Sequence, residues 1–193
     1  MIFTPDLEVL SFDTQSEFRN WLETHHASSP GIWLKIAKKG KGIVTVNYDQ
    51  ALEEALCYGW IDGQSRRLDD IFYLQRFTPR RSKSIWSQIN REHIARLTKA
   101  GKMRPAGSAA VEAAKKDGRW DAAYASWATA KPPEDFIEAL NKNPKARDFY
   151  ATLNRQNTFG ITFRIGQAKR PETRQARIKK FVDMLAEGKK PIV

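Results

Sequence analysis

The stretch YGWIDGQSRRLDDIFYLQRFT, residues 58–78, decides the fold. After Gly59 come two runs rich in Trp, Ile, Phe and Tyr, residues 60–67 and 71–78, with Asp69-Asp70 between them. Such residues suit a pleated surface, and a short acidic turn between two such runs predicts an antiparallel hairpin. Gly59 stands where a helix end passes into the left-handed region, so a helix is expected immediately upstream. Asn47, three residues ahead of Gln50, marks the start of that helix, and Ala51, Leu52, Ala55 and Leu56 form its apolar stripe.

Toward the N-terminus, Thr14 and Glu17 have the spacing of a capping box, and Phe18, Trp21 and Leu22 follow at helical intervals. A helix over about 15–25 is predicted, broken by Ser29-Pro30-Gly31 and followed by a strand at Ile32-Trp33-Leu34-Lys35-Ile36. Toward the C-terminus, Ser84 is the expected cap of a helix reaching Ala100, with Gly101 as its stop. Beyond residue 100 strand signals vanish. Pro105 opens a helix ending at Asp117-Gly118, and Pro132-Pro133 and Asn143-Pro144 each precede a short one. Residues 158–168 fit either helix or strand. Ile178, Phe181, Val182 and Leu185 then repeat as a last helix before Gly188. The class is α+β: a small antiparallel sheet with helices on it, residues 1–104, then an all-helical region, 105–193. Trp120, Tyr124 and Trp127 predict that the connector 118–133 packs down.

The chain has 193 residues, and six Trp, ten Phe and five Tyr argue against disorder. Its one cysteine, Cys57, excludes an intramolecular disulfide and a Cys-based zinc site, and suits a reducing compartment. Its environment, an apolar helical turn, reads as buried filler. The first residues, MIFTPDLEVLSFD, lack the basic and apolar regions of a signal peptide, and no run approaches the ~20 apolar residues of a membrane span. A cytoplasmic protein is expected. Its net charge of +11 is uneven: residues 1–80 hold 9 Lys and Arg against 11 Asp and Glu, so the excess lies downstream. That asymmetry suggests a polyanionic partner: nucleic acid, a phosphorylated small molecule or an acidic protein. A solvated basic face that serves solubility is the plainer alternative.

Four stretches carry a resemblance: ALCYGWIDGQ at 55–64, RFTPRRSKSIWSQIN at 76–90, AGKMRPAG at 100–107 and AKRPETRQARI at 168–178. Together they resemble the YdeI/OmpD-associated family, whose name includes bacteriocin protection. The resemblance implies a YjbR/CyaY-like N-terminal domain, an antiparallel sheet with helices on one side, and a helical C-terminal region. It implies no defined activity.

Three clusters are candidate sites. In Gly59–Gln64, strand alternation puts Trp60, Asp62 and Gln64 on one face, and Arg76 or Arg80 would reach Asp62 if the next strand pairs back. A stacking aromatic beside a carboxylate would suit a small ligand, or a small enzyme with Asp62 as base; otherwise Trp60 is core and Asp62 holds an arginine. In 76–90, Arg76, Arg80, Arg81, Ser84, Trp86 and Asn90 surround a loop that leads into a helix start, where free N–H groups attract anions. Arginines would grip a phosphate there and Trp86 would stack on a base; otherwise the loop is an exposed basic one with Trp86 packed inward. In the last helix, Arg170, Arg174 and Arg177 share a face that would bind nucleic acid or an anionic surface, or would only be solvated. His25, His26 and His93 lack metal-ligand spacing, and no Walker loop, G-x-G-x-x-G, H-E-x-x-H or G-x-S-x-G occurs, so neither a metal nor a cofactor is expected. Anion binding is the leading expectation, ahead of a protein-interaction role for the helical region and of catalysis at Asp62.

Overall fold

The structure is a computed structural model that describes residues 7–126 and 128–191. Its contacts divide the chain into two compact units, Met1–Ala123 and Tyr124–Val193. The first unit runs β1 (Val9–Leu10), α1 (Gln15–His25), β2 (Ile32–Ala37), α2 (Tyr48–Cys57), β3 (Trp60–Arg67), β4 (Phe72–Pro79), α3 (Gln88–Lys99) and α4 (Pro105–Lys116). The strands form one sheet in the order β1-β2-β4-β3. The predicted hairpin is β3–β4, antiparallel, with a bulge between Asp62 and Ser65. β2 also pairs antiparallel with β4, whereas the short β1 pairs parallel with β2, so the sheet is mixed at that edge.

Local chemistry sets the helix ends. Asn47 Oδ1 accepts from the Gln50 N–H at 3.0 Å while Gln50 Oε1 accepts from the Asn47 N–H at 3.1 Å, a complete capping box for α2. After α2, Gly59 takes φ +74°, the left-handed turn that sends the chain into β3. The start of α3 differs from the expectation. Ser87 caps it, accepting from the Asn90 N–H at 3.1 Å, while the Ser84 hydroxyl accepts from the Arg81 N–H at 3.0 Å. The Ser84 hydroxyl thus closes a turn, and residues 80–87 remain irregular.

Register assigns the two faces of the sheet. Ile32, Leu34 and Ile36 stand opposite Phe77, Gln75 and Tyr73 and join Phe18, Leu22, Leu52 and Leu56 in one core. Trp33 and Lys35 stand opposite Arg76 and Leu74 on the other face. Helix α4, which follows the expected break at residue 104, packs on α2, and Trp120 meets Trp86 edge-on at 4.9 Å. Both therefore belong to the first unit.

The second unit holds α5 (Glu134–Asn141), α6 (Pro144–Ala151), α7 (Arg155–Gly166) and α8 (Pro171–Ala186). The ambiguous 158–168 stretch is helical: Asn154 caps α7, and Ile161 and Ile165, four apart, both enter the core with Phe136, Leu140 and Leu185. Tyr124 packs edge-on against Phe163 at 4.9 Å, as the connector's aromatics predict; Trp127 lies outside the described residues. No described helix is long and apolar enough to cross a membrane.

Candidate functional site

Trp60 is a core residue. It is 1% exposed, donates Nε1–H to the His26 carbonyl at 3.0 Å and meets Trp21 edge-on, so it offers no stacking face. Asp62 shares its face, half-buried, and accepts from the Tyr48 hydroxyl at 2.9 Å. Burial first, then that carboxylate, raises the Tyr48 phenol well above its ordinary pKa. Asp62 stands opposite Phe77, which turns Arg76 to the other side of the sheet. The bulge then breaks the alternation, and Gln64 is exposed, with its carbonyl and that of Gly63 facing the Gln75 amide. Trp60 and Asp62 come together; Gln64, Arg76 and Arg80 do not join them.

The 76–90 junction is stapled. Arg80 lays its guanidinium 3.5 Å from the centroid of Trp86, and its Nη1 donates to the Ile85 carbonyl at 3.1 Å. Trp86 is 2% exposed. Arg119 donates to the Ser84 carbonyl at 2.9 Å, which fixes the loop from the other side. Asn90 is buried in the first turn of α3, and Arg81 alone of these residues is fully exposed. Arg80, Ser84 and Trp86 thus meet as a packing unit in which Trp86 has no ring face open to a base.

Cations and rings converge instead on the face of the sheet away from that core, where Arg66 is exposed, Trp33, Lys35, Phe72 and Arg76 are half-buried and Leu74 is buried. The guanidinium of Arg66, from β3, lies 4.3 Å from the Trp33 ring centroid, and the Lys35 ammonium lies 4.7 Å from that of Phe72. Arg76 is the cross-strand partner of Trp33, and its stem runs past Gly63, where an added Cβ would lie 3.6 Å from Arg76 Cδ. Its Nε is buried with no hydrogen-bond partner among the described residues. Val9, 49% exposed, flanks Trp33 on the β1 side. No carboxylate is among these residues. Sequence reasoning passed over Trp33, Lys35 and Arg66. The signal was present in Ile32–Ile36, where the residues alternating with the core positions are an aromatic and a cation.

The basic residues of α8 have separate duties. Arg174 makes two hydrogen bonds to Asp135, 2.6 and 2.8 Å, which tie α8 to α5 and hold the Asp135 carboxyl below its ordinary range. Arg177 donates to the Arg164 carbonyl in the last turn of α7. Arg170 is the exposed N-cap residue. The three do not form one free face.

Other polar groups are structural. Glu54, 1% exposed on α2, accepts from Arg19 at 2.8 and 3.1 Å and from Gln15 at 2.6 Å. Burial, followed by the nearby Glu54 charge, pushes the Cys57 thiol up to about 11. Among the described residues no group of three or more His, Cys, Asp or Glu is placed to hold a metal ion.

Residues 10–110 match the family described as Domain of unknown function (DUF8412), just over half of the chain. The chain belongs to that family. Residues 129–188 match a second family, described as Bacteriocin-protection, YdeI or OmpD-Associated, in agreement with the resemblance drawn from the motifs. No curated protein and no solved structure matched the chain.

Within the DUF8412 match, two of the motif stretches meet in space. An added Cβ on Gly59 would lie 2.9 Å from the Ala106 carbonyl oxygen, and one on Gly107 would lie 2.2 Å from that of Cys57. The Arg104 N–H also donates to the Cys57 carbonyl at 3.1 Å. ALCYGW and MRPAG are therefore the two halves of the α2–α4 contact, where small residues allow the backbones to touch.

Proposed function

We propose that the first unit binds single-stranded nucleic acid across the face of its sheet that carries Trp33, Lys35, Arg66 and Arg76. The observation that carries this reading is the array of Trp33 beneath Arg66 and beside Arg76, with Lys35 over Phe72 on the same face. Base–aromatic stacking contributes ~1–3 kcal/mol per base, and cations beside the rings meet the phosphates between them. A single strand suits a flat face because its unstacked bases are free to lie on the rings, which a duplex does not permit. Arg66 is exposed, so its planar head is free to swing aside or to sandwich a base on Trp33. Since residues 1–80 carry slightly more acid than base, a face with three cations and no carboxylate is a local concentration of charge.

The reading takes this unit as a YjbR/CyaY-like domain in the cytoplasm, with strand binding in a stress or protection role. Asp62 is given no catalytic part: it is engaged by Tyr48 on the core side of β3. The experiment is a fluorescence titration with oligothymidylate and with a duplex of equal length at low salt. Quenching by the single strand at micromolar concentration, weaker with the duplex and weakened but still measurable at low salt in Arg66→Ala/Arg76→Ala, is the expected result. An unchanged affinity in that variant would move the site elsewhere.

A further inference from the structure

The second unit contains a cavity of about 670 Å³ between α7, α8 and the segment after α8. Its apolar wall is Phe163 from α7 with Phe181 and Met184 from α8. Arg164, Arg177, Lys180, Lys189 and Lys190 are also among its lining residues. No acidic side chain is among the described residues lining it. The volume falls in the range of sites for small organic ligands, which are mostly apolar with a few placed polar groups.

Helical spacing builds the arrangement. Arg177, Lys180, Phe181 and Met184 follow one another at i, i+3, i+4 and i+7 along α8, so rings, thioether and cations line one stripe. Phe181 is 5% exposed and its inner edge belongs to the core of the unit, which makes the wall rigid. Arg177 is fixed in place by its hydrogen bond to the Arg164 carbonyl. Met184 is half-buried, and its flexible thioether adapts to the shape of what lies against it. Lys189 pairs with Glu187 at 2.6 Å, whereas Arg177 and Lys180 share the α8 stripe of Phe181 and Met184.

We infer that this cavity is a binding site for a small amphipathic anion, an apolar body bearing one carboxylate, sulfonate or phosphate. The body lies against Phe163, Phe181 and Met184; the head group meets Arg177 and Lys180. Cations beside an apolar wall discriminate by charge, because a neutral ligand with the same body gains only the apolar contact and a cationic one also meets like charges. The site is independent of the sheet face and takes a different ligand class.

The test uses the full chain and 8-anilinonaphthalene-1-sulfonate, an aromatic sulfonate whose fluorescence rises on apolar contact. Saturable one-to-one binding is expected, displaced by decanoate and not by decyltrimethylammonium. Lys180→Glu, at an exposed position, should weaken it at least tenfold, and Met184→Trp, which narrows the cavity and replaces the flexible thioether by a rigid ring, should also weaken it. Far-UV circular dichroism and a cooperative thermal transition close to the parent's show that both variants fold. Absence of saturable binding would overturn the inference. So would equal displacement by the cationic amphiphile, or unchanged affinity in a folded Met184→Trp.

Discussion

Gly107 presses α4 so closely onto α2 that an added Cβ would lie 2.2 Å from the carbonyl oxygen of Cys57. That oxygen is backbone and cannot rotate away, so any larger residue separates the helices. Gly107→Ala should lower stability by ~1–3 kcal/mol, the range for overpacking, although alanine is the better helix former. Urea unfolding checks it; a neutral or stabilising alanine would mean the helices do not meet this way.

Arg80 acts as a staple over Trp86. Arg80→Ala removes a desolvated cation–ring contact and a hydrogen bond to the Ile85 carbonyl, together worth ~2–3 kcal/mol. Arg80→Lys should recover only part, since an ammonium has no planar face to lay on the indole. Thermal unfolding of the two variants checks the order.

Glu54 is the buried carboxylate of the first unit. Glu54→Ala strands Arg19 and Gln15 and should cost ~3 kcal/mol, the lower end for breaking a buried pair, because the Arg19 side chain is 29% exposed. Removing both charges with Glu54→Leu/Arg19→Met should recover most of that loss, as measured by urea midpoints.

Asp135 titrates lower in the folded chain than in the unfolded one because Arg174 holds its charged form. The pair's contribution is therefore complete above the unfolded carboxyl value, ~4, and is lost as pH falls through the lower folded value. The pair is partly solvated, so the amount is ~0.2–1 kcal/mol. Asp135→Asn should cost that much at pH 7 and progressively less as pH falls below ~4, in parallel urea titrations.

Cys57, raised to about 11 by burial, carries almost no thiolate at neutral pH. Its alkylation by iodoacetamide in the native protein should run at least ~100-fold slower than in urea. The raised value also means that this group's share of stability, full below the unfolded value of ~8.5, declines as pH rises toward 11.

Most element boundaries are legible in the sequence because they rest on local chemistry: Asn47 with Gln50, Gly59, Pro105 and Pro144 each fix a terminus within a few residues. Ser84 misleads because Ser84 and Ser87 are both competent caps, and only tertiary packing of Trp86 decides between them. The site was less legible. Trp60 and Trp86 look alike in sequence to Trp33, yet the first two are buried by partners distant in the chain, His26 and Trp120. Register decides the rest: the β2–β4 pairing sets Arg76 on the same side as Trp33, and the bulge after Asp62 sends Arg66 there as well. The motif stretches mark backbone contact between helices and so say more about fold than about a ligand.

The most direct test of strand binding at the sheet face is its salt dependence, taken as the slope of log affinity for oligothymidylate against log salt concentration. Each phosphate neutralised contributes ~0.7 to the slope for a single strand, so Arg66→Ala/Arg76→Ala should lower its magnitude by ~1.4. A slope shared by the parent and the variant would show that these arginines meet no phosphate and would contradict the account.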